Sequence, residues 1–308
     1  MTTVITDTLR VPGATLHYEV RGTGPLLLIS QSGEGDAGRS TDLVDRLADD
    51  HTVVTYDRRG LSRSTPDDPA RGVTIAEHAE DVRHLLATLT DEPVLMLGCS
   101  LGALIGLHVA VRHPGRIGTL VAHEPVAPFL LPAAERARHE RELADVQRIY
   151  RRDGLEAALR AVAEVLGIDP ADPAAEPGLT PQPMTPRRIA DFAFFIEHDV
   201  AAVIGDTLPV SALRDTTTRV VPAVGRTTPP GVFDRHCAEE LAALLGTGIA
   251  EFPGGHNGNT SHPRAYASRL REILRAPASV PGGGSNGGSG DTAPSPAGRR
   301  GAAQHRRP

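Results

Sequence analysis

The 308-residue chain contains no lysine; all 32 of its basic residues are arginine. That absence removes several chemistries at once. No Schiff base can form on a lysine amine, no phosphate-binding loop can carry its usual lysine, and no Ser-Lys dyad can operate. Only two cysteines, Cys99 and Cys237, are present, too few for a disulfide framework or a cysteine-rich metal site. No run of about 18 apolar residues occurs, so a membrane span is not expected. The opening segment MTTVITDTLRVPGATLHYEV has no basic stretch followed by an apolar core. No secretory signal is therefore expected, and the cytoplasm is the default compartment. Aromatic residues are scarce, six Phe and four Tyr. Acidic residues outnumber basic ones 38 to 32, for a formal net charge of −6. The last 32 residues hold four Arg and one Asp, which leaves about −9 on the rest. Such a body is a poor electrostatic match for nucleic acid.

What is present is ordinary for a globular protein, with 40% hydrophobic and 23% charged residues. Short apolar runs alternate with amphipathic stretches. LHYEV, PLLLIS, TVVTYD, PVLMLG, GTLVAHEP, TRVVPAVG and GIAEFPGG have the length and composition of strands. TIAEHAEDVRHLLATLT, ALIGLHVAVRHP and FDRHCAEELAALLG, closed by Gly246, carry helical spacing. Apolar strands separated by helices predict an α/β protein with a mostly parallel, doubly wound sheet covered on both faces. Between Glu124 and Arg219 the strand signals stop. AAERARHERELADVQRIYRR, LEAALRAVAEVLG and RRIADFAFFIEHDVAAVIG predict helices, broken by a Pro-rich stretch. The expected organisation is a core over 1–124 and 217–276, a helical cap insertion over 125–216, and a disordered tail over 277–308. The tail's Gly, Ser and Pro content leaves it too little apolar surface to offset its ordering entropy.

The stretch VLMLGCSLGALIGLHVA runs from strand to helix through GCSLG. In G-x-S-x-G the flanking glycines let the chain turn so tightly that the central hydroxyl, here on Ser100, stands out at the sheet edge. The alternative is a serine that merely completes a close-packed turn. Late in the chain FPGGHNG presents His256 from a glycine turn after a strand. His123 adjoins Glu124, but strand alternation points it to the opposite face. His262, before Pro263 at a helix start, reads as structural. Cys99, beside Ser100, reads as a buried thiol. The run GEGDAG lacks the G-x-G-x-x-G spacing of a dinucleotide loop.

The elbow GCSLG, the turn YDRRGLSRS and FPGGHNG together make the chain resemble an α/β-hydrolase over residues 10–275. That family orders its triad nucleophile, acid, histidine. The resemblance implies Ser100 as nucleophile and His256 as base, and gives Asp57, Arg58 and Arg59 a structural role beneath the site. Many members carry the acid just after the penultimate strand, where this chain has Thr227 and Thr228, which cannot hold a charge beside an imidazolium. Asp234 follows in VFDRHCAEEL as a first-turn helix acid, favourable there for the dipole alone. A second subset of the fold, including one class of haloalkane dehalogenases, places the acid after the strand that follows the nucleophile helix. That position is Glu124, 24 residues after Ser100. A Glu at the end of an apolar strand is favoured as the acid over Asp234; a buried Glu paired with an Arg is the structural alternative.

The oxyanion hole needs two backbone N–H groups. Leu101, directly after the nucleophile, supplies one, and Gln31 or Ser32 in ISQSGEGDAG the other. In the helical block FAFFIEHDV gathers Phe192, Phe194, Phe195, His198 and Asp199. An apolar helix face packing inward accounts for it; Phe194, Phe195 and His198 would also suit one wall of a substrate pocket. The implied function is a cofactor-free, metal-free serine hydrolase acting on an ester, lactone or similar carbonyl of a small-molecule substrate. Two other readings use the same fold: C–C hydrolase or cofactor-free lyase chemistry on the same residues, and a non-catalytic ligand-binding protein.

Overall fold

The computed structural model describes residues 3–168 and 174–276; the tail expected over 277–308 lies outside them. The chain begins β1 (Val4–Val11), β2 (Ala14–Arg21), β3 (Leu26–Ser30), α1 (Thr41–Leu47), β4 (Thr52–Tyr56), β5 (Thr65–Pro66) and α2 (Ile75–Leu89). It continues β6 (Val94–Cys99), α3 (Leu101–Arg112), β7 (Ile117–His123), α4 (Ala133–Asp153), α5 (Leu155–Val165), α6 (Pro186–Phe194) and α7 (Val200–Ile204). It ends β8 (Arg219–Gly225), α8 (Phe233–Leu245), β9 (Ala250–Phe252), α9 (Gly258–Ser261) and α10 (Pro263–Arg275).

The strands join in the order β1-β2-β4-β3-β6-β7-β8-β9, with β5 against β2. The first three of that order pair antiparallel, and every pair from β4 to β9 is parallel. The mostly parallel sheet expected from the sequence is present. Alternation along each strand feeds two cores. Leu28, Val54, Met96 and Leu120 join Val82 of α2 and Leu104 of α3 on one face. Leu27, Ile29, Val53, Leu97 and Val121 join Leu43 of α1 and Leu270 of α10 on the other. Both faces are covered, so neighbours such as Leu27 and Leu28 are both apolar and the strands read as unbroken hydrophobic runs.

Three features differ from the sequence pattern. β1 carries almost no burial signal, because all but its last residues are exposed. It exists by pairing with β2 across a turn in which Gly13 takes φ 78°. The helix α1 is only 7 residues long, too short for a clear periodic pattern in the sequence. The helix expected over residues 187–205 is interrupted: α6 and α7 flank a π-helical turn, Phe195–Asp199. Such a turn inserts an extra residue and re-aims the side chains on it.

Helices between β7 and β8 pack through Leu143, Leu166, Val200 and Val203 into the core cluster that holds Leu101 and Val126. They therefore sit by the ends of β6 and β7, where the sheet's parallel strands release their loops. In open α/β sheets this carboxyl edge is where ligands bind. No helix among the described residues is long and apolar enough to cross a membrane.

Candidate active site

β6 hands over to α3 at Ser100, which takes φ 57° and ψ −116°, a conformation costly for any residue with a side chain. The glycines explain how the turn is made. A Cβ on Gly102 would lie 2.0 Å from the Ser30 carbonyl oxygen, and one on Gly98 would lie 2.6 Å from Cα of Ala103. The Ser100 N–H donates to the His123 carbonyl at 2.8 Å, which ties the turn to β7. Leu101 opens α3, so its N–H has no acceptor one turn back in the helix.

Glu124 leaves β7 at φ 44° and is fully buried. Its Oε1 accepts the Gly225 N–H at 2.7 Å, and its Oε2 meets Nδ1 of His256 at 2.8 Å. Of the three non-glycine residues with positive φ among the described residues, two are Ser100 and Glu124. His256 is itself buried, and its Nε2 has no partner among the described residues.

A second carboxylate arrives at the same imidazole. Asp234 does lie in the first turn of α8, yet it is fully buried, and its Oδ2 contacts Nδ1 of His256. The expectation of an acid serving the helix dipole alone is corrected here. α8 docks through Phe233, Cys237 and Leu241, which turns its first residues in over the strand ends. Burial alone would lower His256, but Asp234 and Glu124 outweigh it and raise its pKa to about 10. Burial raises Asp234 to about 6, and the neighbouring Glu124 charge adds to the rise. Burial acts on Glu124 in the same sense, yet the hydrogen bond from His256 and the charges of His123 and His256 bring it to about 2. Glu124 is thus the ionised partner, and Asp234 the one that takes a proton first on acidification. These three buried groups also present ligand atoms within 4.8 Å of one another, close enough to hold a metal ion; a proton on Nδ1 meets the same need for positive charge.

The remaining candidates fall as follows. His123 packs edge-on to Phe252 and Tyr266 at centroid distances of 5.7 and 5.6 Å, and burial lowers it to about 4. The Cys99 thiol is buried and pushed up to about 12. Gln31 and Ser32 follow β3; the Gln31 side chain donates to Ser40 Oγ at 2.6 Å. Asp57, just after β4, holds the Ala37 N–H and Arg63, and Arg59 pairs with Asp81 of α2 at 2.6 Å, so the first ties loops to the end of β4 and the second ties the turn to a helix. A wholly apolar cavity is lined by Leu101, Val126, Leu143, Val200, Phe195 and further valine and leucine side chains. Phe195 belongs to it, but Phe194 and His198 do not. These two pack against each other at a tilt of 46°, centroids 4.5 Å apart, with Phe194 over Gly60 and His198 beside Gly72. Phe192 lies under the Arg188 guanidinium, 5.5 Å from its carbon.

A family profile described as the α/β hydrolase fold matches residues 25–164. An uncharacterized hydrolase of Bacillus subtilis, YraK, is 34% identical over 276 residues, covering 88% of this chain and 97% of its own. Among solved structures, a hydrolase from Pseudomonas aeruginosa aligns with a TM-score of 0.62 at 24% identity, over 88% of this chain and 98% of that one. The enol-lactonase of Burkholderia xenovorans aligns with a TM-score of 0.63 at 20% identity, over 88% and 100%. At these identities the structural likenesses speak to the fold. The chain belongs to the α/β-hydrolase fold family. It is a hydrolase.

Proposed function

We propose that the protein is a serine hydrolase with esterase-type chemistry, cleaving an ester, lactone or similarly activated carbonyl. Ser100 Oγ attacks the carbonyl carbon while Nε2 of His256 takes its proton, and the carbonyl electron pair moves onto oxygen. Collapse of this tetrahedral species expels the leaving alkoxide, which recovers the proton from His256 and leaves an acyl group on Ser100. Water, deprotonated by His256, then attacks the acyl carbon; collapse of this second tetrahedral species breaks the acyl–Oγ bond, His256 returns the proton to Ser100 Oγ, and the acid is freed. Glu124 receives Nδ1–H and stabilises the imidazolium. The N–H groups of Leu101 and of Gln31 or Ser32 stabilise the oxyanion. The segment 125–216 acts as the cap over a core formed by 1–124 and 217–276. The scheme consumes only water and uses no cofactor.

The observation that carries this reading is a pairing: a serine in a strained strand-to-helix turn, and a buried histidine held at Nδ1 by Glu124 with Nε2 left unpartnered. The apolar cavity beside Leu101 supports an acyl group that bears no charge. As it stands the cavity has room for little more than a water molecule, so short acyl chains are favoured over long ones.

A fluorophosphonate probe tests the nucleophile, with the acyl group read from p-nitrophenyl esters of rising chain length. The expected result is covalent label on Ser100, lost in Ser100→Ala, with the fastest turnover on short acyl chains. A protein that binds esters but takes no label would be a ligand-binding member, and the proposal would fall.

A further inference from the structure

Arg58 is 1% exposed and carries a charge that no step of the proposed reaction uses. It stands apart from the Asp57–Arg63 and Arg59–Asp81 pairs that hold the same turn. Its guanidinium faces three consecutive carbonyls of the loop leaving β3. Nη1 donates to Gln31 at 3.4 Å and to Ser32 at 2.8 Å, and Nη2 donates to Gly33 at 2.8 Å. Room for it depends on Gly35, at φ 59°, where a Cβ would lie 2.6 Å from Nη1. In a trans peptide the C=O and N–H point in opposite directions. Carbonyls gathered on Arg58 therefore turn the N–H groups of Ser32 and Gly33 to the other side of the loop.

The counter-charge comes from a distant segment. Asp199 Oδ2 accepts from Nη2 at 2.6 Å and from Nε at 3.3 Å, while its Oδ1 faces Nε2 of His78 on α2 at 3.0 Å. All five guanidinium N–H donors thus have acceptors, the condition under which a buried ion pair is tolerable. Asp199 closes the π-helical turn Phe195–Asp199. The first residue of that turn, Phe195, covers Gly33 so closely that a Cβ there would lie 2.8 Å from the ring. One turn of the helical segment thus holds the loop twice, by charge through Arg58 and by contact on Gly33.

We propose that Arg58 is a positioning residue that fixes the oxyanion-binding amide of loop 31–33, and that Asp199 makes this depend on the seating of the helical segment, a proposal that rests on the serine-hydrolase reading above. The near-isosteric Asp199→Asn, Arg58→Lys and His78→Gln test it. Each is titrated for active sites with the fluorophosphonate, then assayed for kcat and KM on a p-nitrophenyl ester and for affinity toward a trifluoromethyl ketone, which forms an oxyanion. Asp199→Asn should lose roughly 10- to 100-fold in kcat per titrated site, with KM little changed and ketone affinity falling in step. Arg58→Lys should lose more and His78→Gln less. A purely structural role would lower the melting temperature and the number of titratable sites while leaving kcat per site intact, and that result overturns the proposal. So does a rise in KM alone. If Arg58→Lys does not fold, the two remaining variants carry the test. A wild-type protein that takes no label overturns the hydrolase reading and this proposal together, whereas normal label with unchanged variant kcat overturns this one alone.

Discussion

A hydroxyl held in a strained turn contributes chemistry and little packing, so Ser100→Ala should abolish turnover while leaving the melting temperature nearly unchanged. His256→Ala should fall equally low, because members of one catalytic unit are non-additive. Near-wild-type turnover in either variant would contradict the mechanism. The two carboxylates on His256 are separable by pH. Glu124→Gln keeps the shape but removes the charge opposite the imidazolium, and should cost about 10²–10⁴-fold in kcat. Asp234 helps hold the His256 pKa up to about 10, and a base must lose that proton before it can act. Removing the charge in Asp234→Asn therefore lets His256 deprotonate earlier, so the acidic limb of the kcat/KM profile should move to lower pH with the plateau little changed. A crippled Asp234→Asn beside an active Glu124→Gln would reverse the two roles. Ser100 and His256 stood out in the sequence because glycines next to a polar residue are a local signal. Glu124 stood out as a charge at the end of an apolar strand. Asp234 is visible too, but its helical position says only that it lies in a first turn, and nothing local says whether that turn meets water or an imidazole.

At the scale of elements, the turn from β6 to α3 sets how closely Ser100 approaches the loop after β3. Gly102→Ala would drive a methyl to 2.0 Å from the Ser30 carbonyl, so α3 must move off β3. The expected loss is about 1–3 kcal/mol, as for other overpacked sites, read as a drop of several degrees in a thermal melt. Activity should fall further than the folded fraction, since loop 31–33 shifts with Ser30. Gly248→Ala, with nothing within 4 Å of its Cβ, is the control and should melt with wild type. A Gly102→Ala protein that also melts with wild type would show that the junction has slack. The buried parallel strands were legible because their apolar runs are dictated by burial on both faces. β1 was not, because a strand held by backbone pairing to one neighbour needs no apolar pattern. The π-helical turn was not legible either. Its sequence, FIEHD, is compatible with a plain helix, and the insertion answers to contacts made far along the chain, at Gly33 and Arg58.

For the whole molecule, ionisable groups buried at the strand ends tie stability to pH, and the sign follows from the direction of each shift. Glu124 and Asp199 both lie below their ordinary values. Their contribution is present above the unfolded carboxyl range and is lost as pH falls below it through their lower folded values. Asp234, raised to about 6, and His256, raised to about 10, act in the opposite sense. The folded chain keeps those protons where the unfolded chain has released them, so their contribution is full at low pH and declines as pH rises. Between the unfolded histidine value of 6.5 and about 10, His256 is the one member of this buried trio still exchanging a proton. The wild-type melting temperature should therefore fall across that window. His256→Gln, which has no imidazole proton to lose, should show a flatter dependence, and the difference between the two curves isolates the site from the buried cysteines and the tyrosines, whose pKa values folding also raises. Asp234→Asn should lie between them, because one of the two charges holding the proton is gone. Parallel melting curves for wild type and His256→Gln over the whole window would mean that His256 does not keep its proton in the folded state, and the pairing of two carboxylates on Nδ1 would have to be given up.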